Sequence, residues 1–283
     1  MGFILAVLYF PFLIMFVLSW QGPRGGHAFP LSDGYPSDIW YWKLFHPGQV
    51  TQFSDVGEFL GDYLAAFQRS IILAAAVMII STVLALLGAM AFRRGFRLSG
   101  LVFYLWLLGL IIPGISVSLA LALFFKQLGI PQEWYSTGLA VHVMWTLPFC
   151  LIIFLIAFNR FDERLEDAAL MLGANRWQAF RHVTLPNIKF GVLSSLLFGF
   201  TLSLDEFQRS LLIEGADQTL PLMVMSSVTT RITPTLYALG TLTTLVSFLV
   251  IGLYLAFAAR SARRARQTPV TGADEVAGAG ASA

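Results

Sequence analysis

Six long apolar runs, each close to the length of a bilayer crossing, constrain this chain more than any other feature. The hydrocarbon core of a bilayer is about 30 Å thick and takes roughly 20 apolar residues in helical form. The runs lie at about 2–20, 70–92, 101–125, 137–158, 190–213 and 235–259. Backbone amides in lipid must bond within their own segment or within a closed barrel. Barrel strands alternate in short stretches, whereas these runs are continuous, so helix is the expected state. Charged residues make up 12% of the chain, about half the share of a soluble domain, which argues against an ordinary soluble enzyme. The expectation is an all-α integral membrane protein of six transmembrane helices.

Basic residues set the orientation. Arg93, Arg94 and Arg97 follow the second run, Arg160, Arg164, Arg176, Arg181 and Lys189 follow the fourth, and Arg260, Arg263, Arg264 and Arg266 follow the sixth. Lys and Arg accumulate on the cytoplasmic side, so both termini and the 159–189 loop are expected in the cytoplasm. The first run lacks a basic leader and a small-x-small cleavage site, and is read as a retained anchor over 1–20. Residues 21–69 form a periplasmic segment, in which Trp40, Tyr41 and Trp42 suit the membrane interface. Within it, Asp55 to Phe67 reads as a short amphipathic helix, with Val56, Phe59, Leu60, Tyr63, Leu64 and Phe67 on one stripe. Residues 70–259 form the core, and the polar 260–283 tail is expected to be disordered.

The 159–189 loop carries the strongest local signal. Leu165, Ala168, Ala169 and Leu172 recur at helical spacing. Glu166 and Asp167 stand in the first turn, where acids complement the helix dipole. Gly173 follows the last apolar position, where a left-handed residue ends a helix. Trp177, Phe180 and Val183 suggest a second short helix ended by Leu185-Pro186. An exposed helix with small residues flanked by acids suits docking into a partner's groove. A plain helical connector between two spans fits the same pattern.

These residues resemble the "EAA" loop of the permease subunits of binding-protein-dependent ABC importers. That loop reads Glu-Ala-Ala, three residues, Gly, nine residues, then Ile-x-Leu-Pro. This chain has Asp167-Ala168-Ala169, Gly173 and Val183-Thr184-Leu185-Pro186 at the same spacing, with Asp167 for Glu and Val183 for Ile. The resemblance implies a type I importer permease fold in a bacterial inner membrane. It also implies an ATPase-coupling role for Glu166, Asp167, Ala168, Ala169, Gly173, Leu185 and Pro186. The coupling helix would sit in a cleft of an ATPase subunit, and ATP-driven closure of two ATPases would swing two permeases between inward-facing and outward-facing states. A periplasmic solute-binding protein would deliver the solute, and a second permease subunit would complete the pathway. The chain has no phosphate-binding Gly-x-x-x-x-Gly-Lys-Ser/Thr loop, so the ATP and Mg belong to the partner ATPase. This chain is expected to be a transport subunit that binds no cofactor of its own and is not an enzyme.

The fifth run holds Thr201, Ser203, Asp205 and Glu206, followed by Arg209. Ionisable groups inside a membrane are costly and face protein or water. One reading makes these four residues the lining of a solute pathway that favours a cation. The other pairs an acid with Arg209 three or four residues along the helix, as a structural ion pair. Phe200 to Phe207, followed by Thr219-Leu220-Pro221-Leu222, resembles the second permease of the polyamine (spermidine/putrescine) branch. A polyamine or other small organic cation is therefore the first expectation, with a sugar or another small solute as the alternative. A secondary transporter working without an ATPase is the reading from another class. It finds no support in internal repeats.

Pro113 and Pro148 fall within runs, and His142 and the single Cys150 read as packed residues. Glu214, Asp217 and Arg231 are candidates for a surface that meets the binding protein. No His, Cys and carboxylate cluster has metal-ligand spacing.

Overall fold

Small residues repeat along the second apolar run, and they decide how the helices meet. In the computed structural model, which describes residues 2–22, 31, 34–46, 63–230 and 234–267, that run becomes α3, Tyr63–Arg94. Ala74, Val77, Ser81, Ala85 and Ala89 are buried along one stripe of it. Membrane helices associate by close packing of such small residues and by interhelical hydrogen bonds, because lipid offers no hydrophobic gain. Both devices are present. Ser81 bonds Thr146 at 2.5 Å, Thr82 bonds Ser195 at 3.0 Å, and Gly199 lies where an added Cβ would stand 3.4 Å from the Met78 backbone. Thr146 belongs to α6, Leu139–Asn159, and Ser195 and Gly199 to α10, Lys189–Leu204. These three helices enclose an apolar core of Ala85, Ala89, Cys150, Leu151, Phe154, Phe158, Phe161 and Ile188.

The chain opens with α1, Gly2–Leu18, whose Met15 packs where Gly240 has no side chain. The short α2, Ile39–Phe45, follows. Its Trp40 donates from Nε1 to the Gln21 carbonyl at 2.7 Å. Trp40 and Leu44 pack with Tyr63, Ala66, Leu220, Leu236, Ala238 and Leu239 into a second core. The expected amphipathic helix over 55–67 lies outside the described residues up to 62, and Tyr63, Leu64 and Phe67 belong to the start of α3.

The third apolar run differs from a single span. It forms α4, Ser99–Ile111, and α5, Gly114–Gln127, which meet at 105°. Pro113 forces Ile112 into an extended conformation (φ −70°, ψ 130°) and contributes no N–H to a continuing helix. A wide turn over Trp134–Gly138 then leads into α6. The 159–189 loop holds α7, Arg164–Met171, and α8, Arg176–Ala179. A second wide turn over Phe180–Thr184 and the short α9, Leu185–Asn187, bend by 71° into α10. The fifth run also ends early. α10 stops at Leu204, and residues 205–219 are irregular until α11, Leu220–Thr230.

α12, Pro234–Gln267, closes the described chain. Residues 260–267, expected within a disordered tail, are therefore helical, and 268–283 lie outside the described residues. The chain divides into two units, Met1–Leu245 and Val246–Ala283. The second exposes Phe248, Leu249, Leu253 and Leu255 along its helix, as a lipid-facing surface does. Among the described residues, Tyr63–Arg94, Trp134–Asn159 and Thr235–Ala256 are long and apolar enough to cross a membrane. The two bent pairs reach that length together, and α1 is a shorter apolar helix.

One glycine fixes the irregular segment. Gly215 has φ 72°, and an added Cβ would lie 2.3 Å from the Gln132 carbonyl oxygen. Gly215→Ala should cost about 3 kcal/mol, from the left-handed backbone and the backbone clash together. The expected result is a lowered midpoint of thermal unfolding for the detergent-extracted protein, followed by size-exclusion chromatography.

Candidate functional site

Two regions concentrate the polar chemistry of this apolar chain. The first is the 159–189 loop. α7 begins where Asp162 Oδ1 accepts the Arg164 N–H at 3.0 Å, and it carries Glu166 and Asp167 in its first turn. It ends at Gly173, with φ 88°. The Gly173 N–H donates to Leu170 and the Ala174 N–H to Ala169, at 3.0 and 3.1 Å. This double bond pattern is the Schellman ending, and it accounts for the expectation of a left-handed glycine there. α8 starts with a capping box in which Asn175 and Gln178 exchange bonds at 2.8 Å.

Arg93, at the end of α3, holds this loop. Its Nε donates to Glu163 at 2.7 Å, and its Nη2 pairs with Glu166 at 2.8 Å. Its guanidinium also stands 5.3 Å over the Phe161 ring and 5.6 Å over Phe158. Glu166 is thereby committed to an internal tether, whereas the neighbouring Asp167 is exposed. Ala168 is exposed and Ala169 half-buried. Met171 and Leu172 are each 90% exposed, and Trp177 is 65% exposed, so α7 and its end present apolar side chains beside a carboxylate. Leu185 is half-buried and Pro186 exposed at the bend into α10.

The second region is an open pocket of about 550 Å³ between the two helix breaks. Leu110 to Gly114 line it from the α4–α5 corner, Trp145 from α6, and Asp205 to Arg209 from the segment after α10. Both walls form where helices break, because a proline ends one helix and two acids follow the other. After the last α10 bond, from the Asp205 N–H to Thr201, Glu206 Oε1 accepts the Arg209 N–H at 2.9 Å and starts a turn instead. Its Oε2 pairs with Arg209 Nη1 at 3.0 Å. The expected Glu206–Arg209 pair is therefore present, but in a turn and not along a helix. Glu206 and Arg209 are buried, while Asp205 is exposed and has no ion-pair partner among the described residues.

The four candidate pathway residues separate. Asp205 and Glu206 line the pocket. Thr201 donates back to the Leu197 carbonyl at 2.9 Å and is not part of its lining. Ser203 is buried and turned to His142, its Oγ 2.8 Å from Nδ1. His142 is itself a packed residue, with Ser210 Oγ 2.7 Å and Glu214 Oε1 3.5 Å from Nε2. Glu214, expected on an outer docking surface, is instead 1% exposed and accepts the Thr219 N–H at 2.9 Å. Asp217 is exposed, 3.4 Å from Arg69, and Arg231 lies outside the described residues. Trp145 and Arg93 had no local signal in the sequence. Each meets its partner from a distant part of the chain.

Comparison with known proteins supplies the context for these two regions. The spermidine/putrescine transport system permease protein PotC of Haemophilus influenzae is 30% identical over 254 residues, which is 88% of this chain and 90% of that protein. The putrescine transport system permease protein PotI of Escherichia coli strain K12 is 29% identical over 196 residues, 66% of this chain and 70% of that protein. The chloroplastic sulfate permease 2 of Chlamydomonas reinhardtii is 31% identical over 183 residues, 59% of this chain and 49% of that protein. The profile of one family matches residues 81–267, a stretch that holds the anchored 159–189 loop and both walls of the pocket. The chain accordingly belongs to the family of binding-protein-dependent transport system inner membrane components, as a helical permease of the inner membrane.

Proposed function

We propose that this chain forms one half of the solute pathway of an ATP-driven importer and docks a separate ATPase subunit through α7. The observation that carries this reading is the surface of that helix. Asp167, Met171 and Leu172 project from an element that Arg93 ties to the end of a long core helix. Exposed apolar side chains beside an unneutralised acid suit a partner groove with a basic rim. Glu166, Ala168, Ala169, Gly173, Leu185 and Pro186 shape and hold the helix. ATP and Mg act in the partner ATPase, a periplasmic binding protein delivers solute, and a second permease of different sequence closes the pathway. A pull of the ATPase on α7 reaches α3 through Arg93 and α10 through the bend at Leu185-Pro186.

The solute of this reading is a polyamine or related small organic cation. Asp205 adds one uncompensated negative charge to a pocket with an indole wall. Two of the relatives are permeases of spermidine/putrescine and putrescine transport systems. A second reading, an oxyanion, is favoured by the sulfate permease relative and by Arg209 in the same pocket.

Purification in mild detergent, followed by uptake into vesicles, tests the proposal. The expected result is an ATPase subunit recovered with this chain and ATP-dependent uptake of radiolabelled spermidine or putrescine, but not of sulfate or maltose. Uptake without an ATPase would overturn the importer reading, and uptake of sulfate alone would overturn the cation.

A further inference from the structure

The pocket already contains a cation, supplied by the chain itself. The Arg209 guanidinium carbon stands 3.4 Å from the centroid of the Trp145 ring, and Nη1 lies 3.0 Å from Glu206 Oε2. An aromatic face and a buried carboxylate are the two surfaces that together bind an alkylammonium or guanidinium ion, most strongly where water is excluded. Arg209 and Glu206 are 6% and 7% exposed. The fit is close from the other wall as well, because an added Cβ at Gly114 would lie 3.2 Å from Arg209 Nη1 and 3.0 Å from the Gln208 side chain. Asp205, the preceding acid, faces the same pocket and is left exposed.

We propose that Arg209 is a tethered occupant of a cation subsite made by Trp145 and Glu206, and that an entering diamine must displace it to be held at both ends. One ammonium of the solute pairs with Asp205, and the second competes with the guanidinium for the indole face. An occupant of this kind lowers the apparent affinity by the fraction of time the subsite is filled. It keeps a buried carboxylate neutralised when no solute is present, which avoids an unpaired charge inside the membrane. It also selects for length, because a monoamine is fully served by Asp205 and gains nothing from displacing Arg209. The inference rests on the organic-cation reading above.

The test uses the assembled complex in nanodiscs, without binding protein, and equilibrium binding of radiolabelled putrescine. Arg209→Met, which keeps the stem and removes the charge, should tighten putrescine binding by about tenfold. Arg209→Lys, whose shorter tether fills the subsite less of the time, should tighten putrescine binding by less than Arg209→Met does. Adding Trp145→Leu to Arg209→Met should remove the gain, and millimolar methylguanidinium should compete with putrescine in Arg209→Met by refilling the subsite. Propylamine binding should be indifferent to all of these changes. If Arg209→Met fails to assemble, propylamine and putrescine are compared in Arg209→Lys, where a shorter tether should favour putrescine alone. Putrescine binding that Arg209→Met leaves unchanged, in a complex whose amine uptake still depends on Asp205, would overturn the tethered occupant and leave the cation reading standing. No binding or uptake of any amine by the unaltered complex would overturn both.

Discussion

Asp167→Arg should abolish recovery of the ATPase subunit with this chain and reduce ATP-driven uptake to background. The expected loss of ATPase affinity is about a hundredfold, because a charge reversal at a docking surface exchanges an attraction for a like-charge contact. The carboxylate is exposed and makes no ion pair among the described residues, so its replacement leaves the fold of α7 in place. Glu166→Gln is the informative control. Glu166 pairs with Arg93 at 2.8 Å, so its neutralisation should loosen the loop while leaving the ATPase bound. The expected signature is ATP hydrolysis that persists with poorer coupling to uptake. Equal loss of ATPase binding in the two variants would contradict the division of labour between the adjacent acids.

Asp205→Asn should lower spermidine uptake about tenfold, since a charge-assisted contact is worth roughly 1.5 to 3 kcal/mol. ATPase recovery and the yield of folded protein should be unchanged, because Asp205 pairs with no other residue among those described. Glu206→Gln should behave differently. It leaves the buried Arg209 without its carboxylate, and removal of one partner from a buried pair is strongly destabilising. Reduced folded yield is therefore expected in Glu206→Gln and not in Asp205→Asn. Unchanged spermidine uptake by Asp205→Asn, in a complex that imports spermidine, would remove Asp205 from the pathway.

Local features of the 159–189 loop were legible because their causes are local. A glycine after an apolar run predicts a left-handed ending, and Gly173 adopts φ 88°. Acids three and four residues before an Arg allow an ion pair, one of the two readings of that stretch, and Glu206, three residues before, makes it. The break at Ile112-Pro113 was not legible in the same way. Proline is tolerated within many membrane helices when neighbours satisfy the freed carbonyls, so its presence does not by itself separate a kink from a 105° corner. The end of α10 at Leu204 was hidden because Leu211, Leu212 and Ile213 resume apolar character after the polar stretch Asp205 to Ser210, so the run reads through to Ile213. The carboxylate of Glu206 caps a turn there and replaces the next helical bond.

Pairings between distant segments were not legible at all. Trp145 meets Arg209, Arg93 meets Glu166, and His142 meets Glu214 only after the helices pack. Charge and polarity marked Glu214 as a surface residue, yet it is buried on His142, with its other oxygen bonded to the Thr219 N–H. A single sequence carries the identity of each such group but not the partner that makes its burial affordable.

The sidedness of α7 tests the whole account most directly. Met171 is 90% exposed, and the chain's single cysteine, Cys150, is buried. Met171→Cys in a Cys150→Ser background should react with a membrane-impermeant maleimide in inside-out vesicles and not in intact cells. In the assembled complex, the same position should cross-link to the ATPase subunit. Reaction from the outer face, with no cross-link, would contradict the proposal that this helix couples the permease to an ATPase.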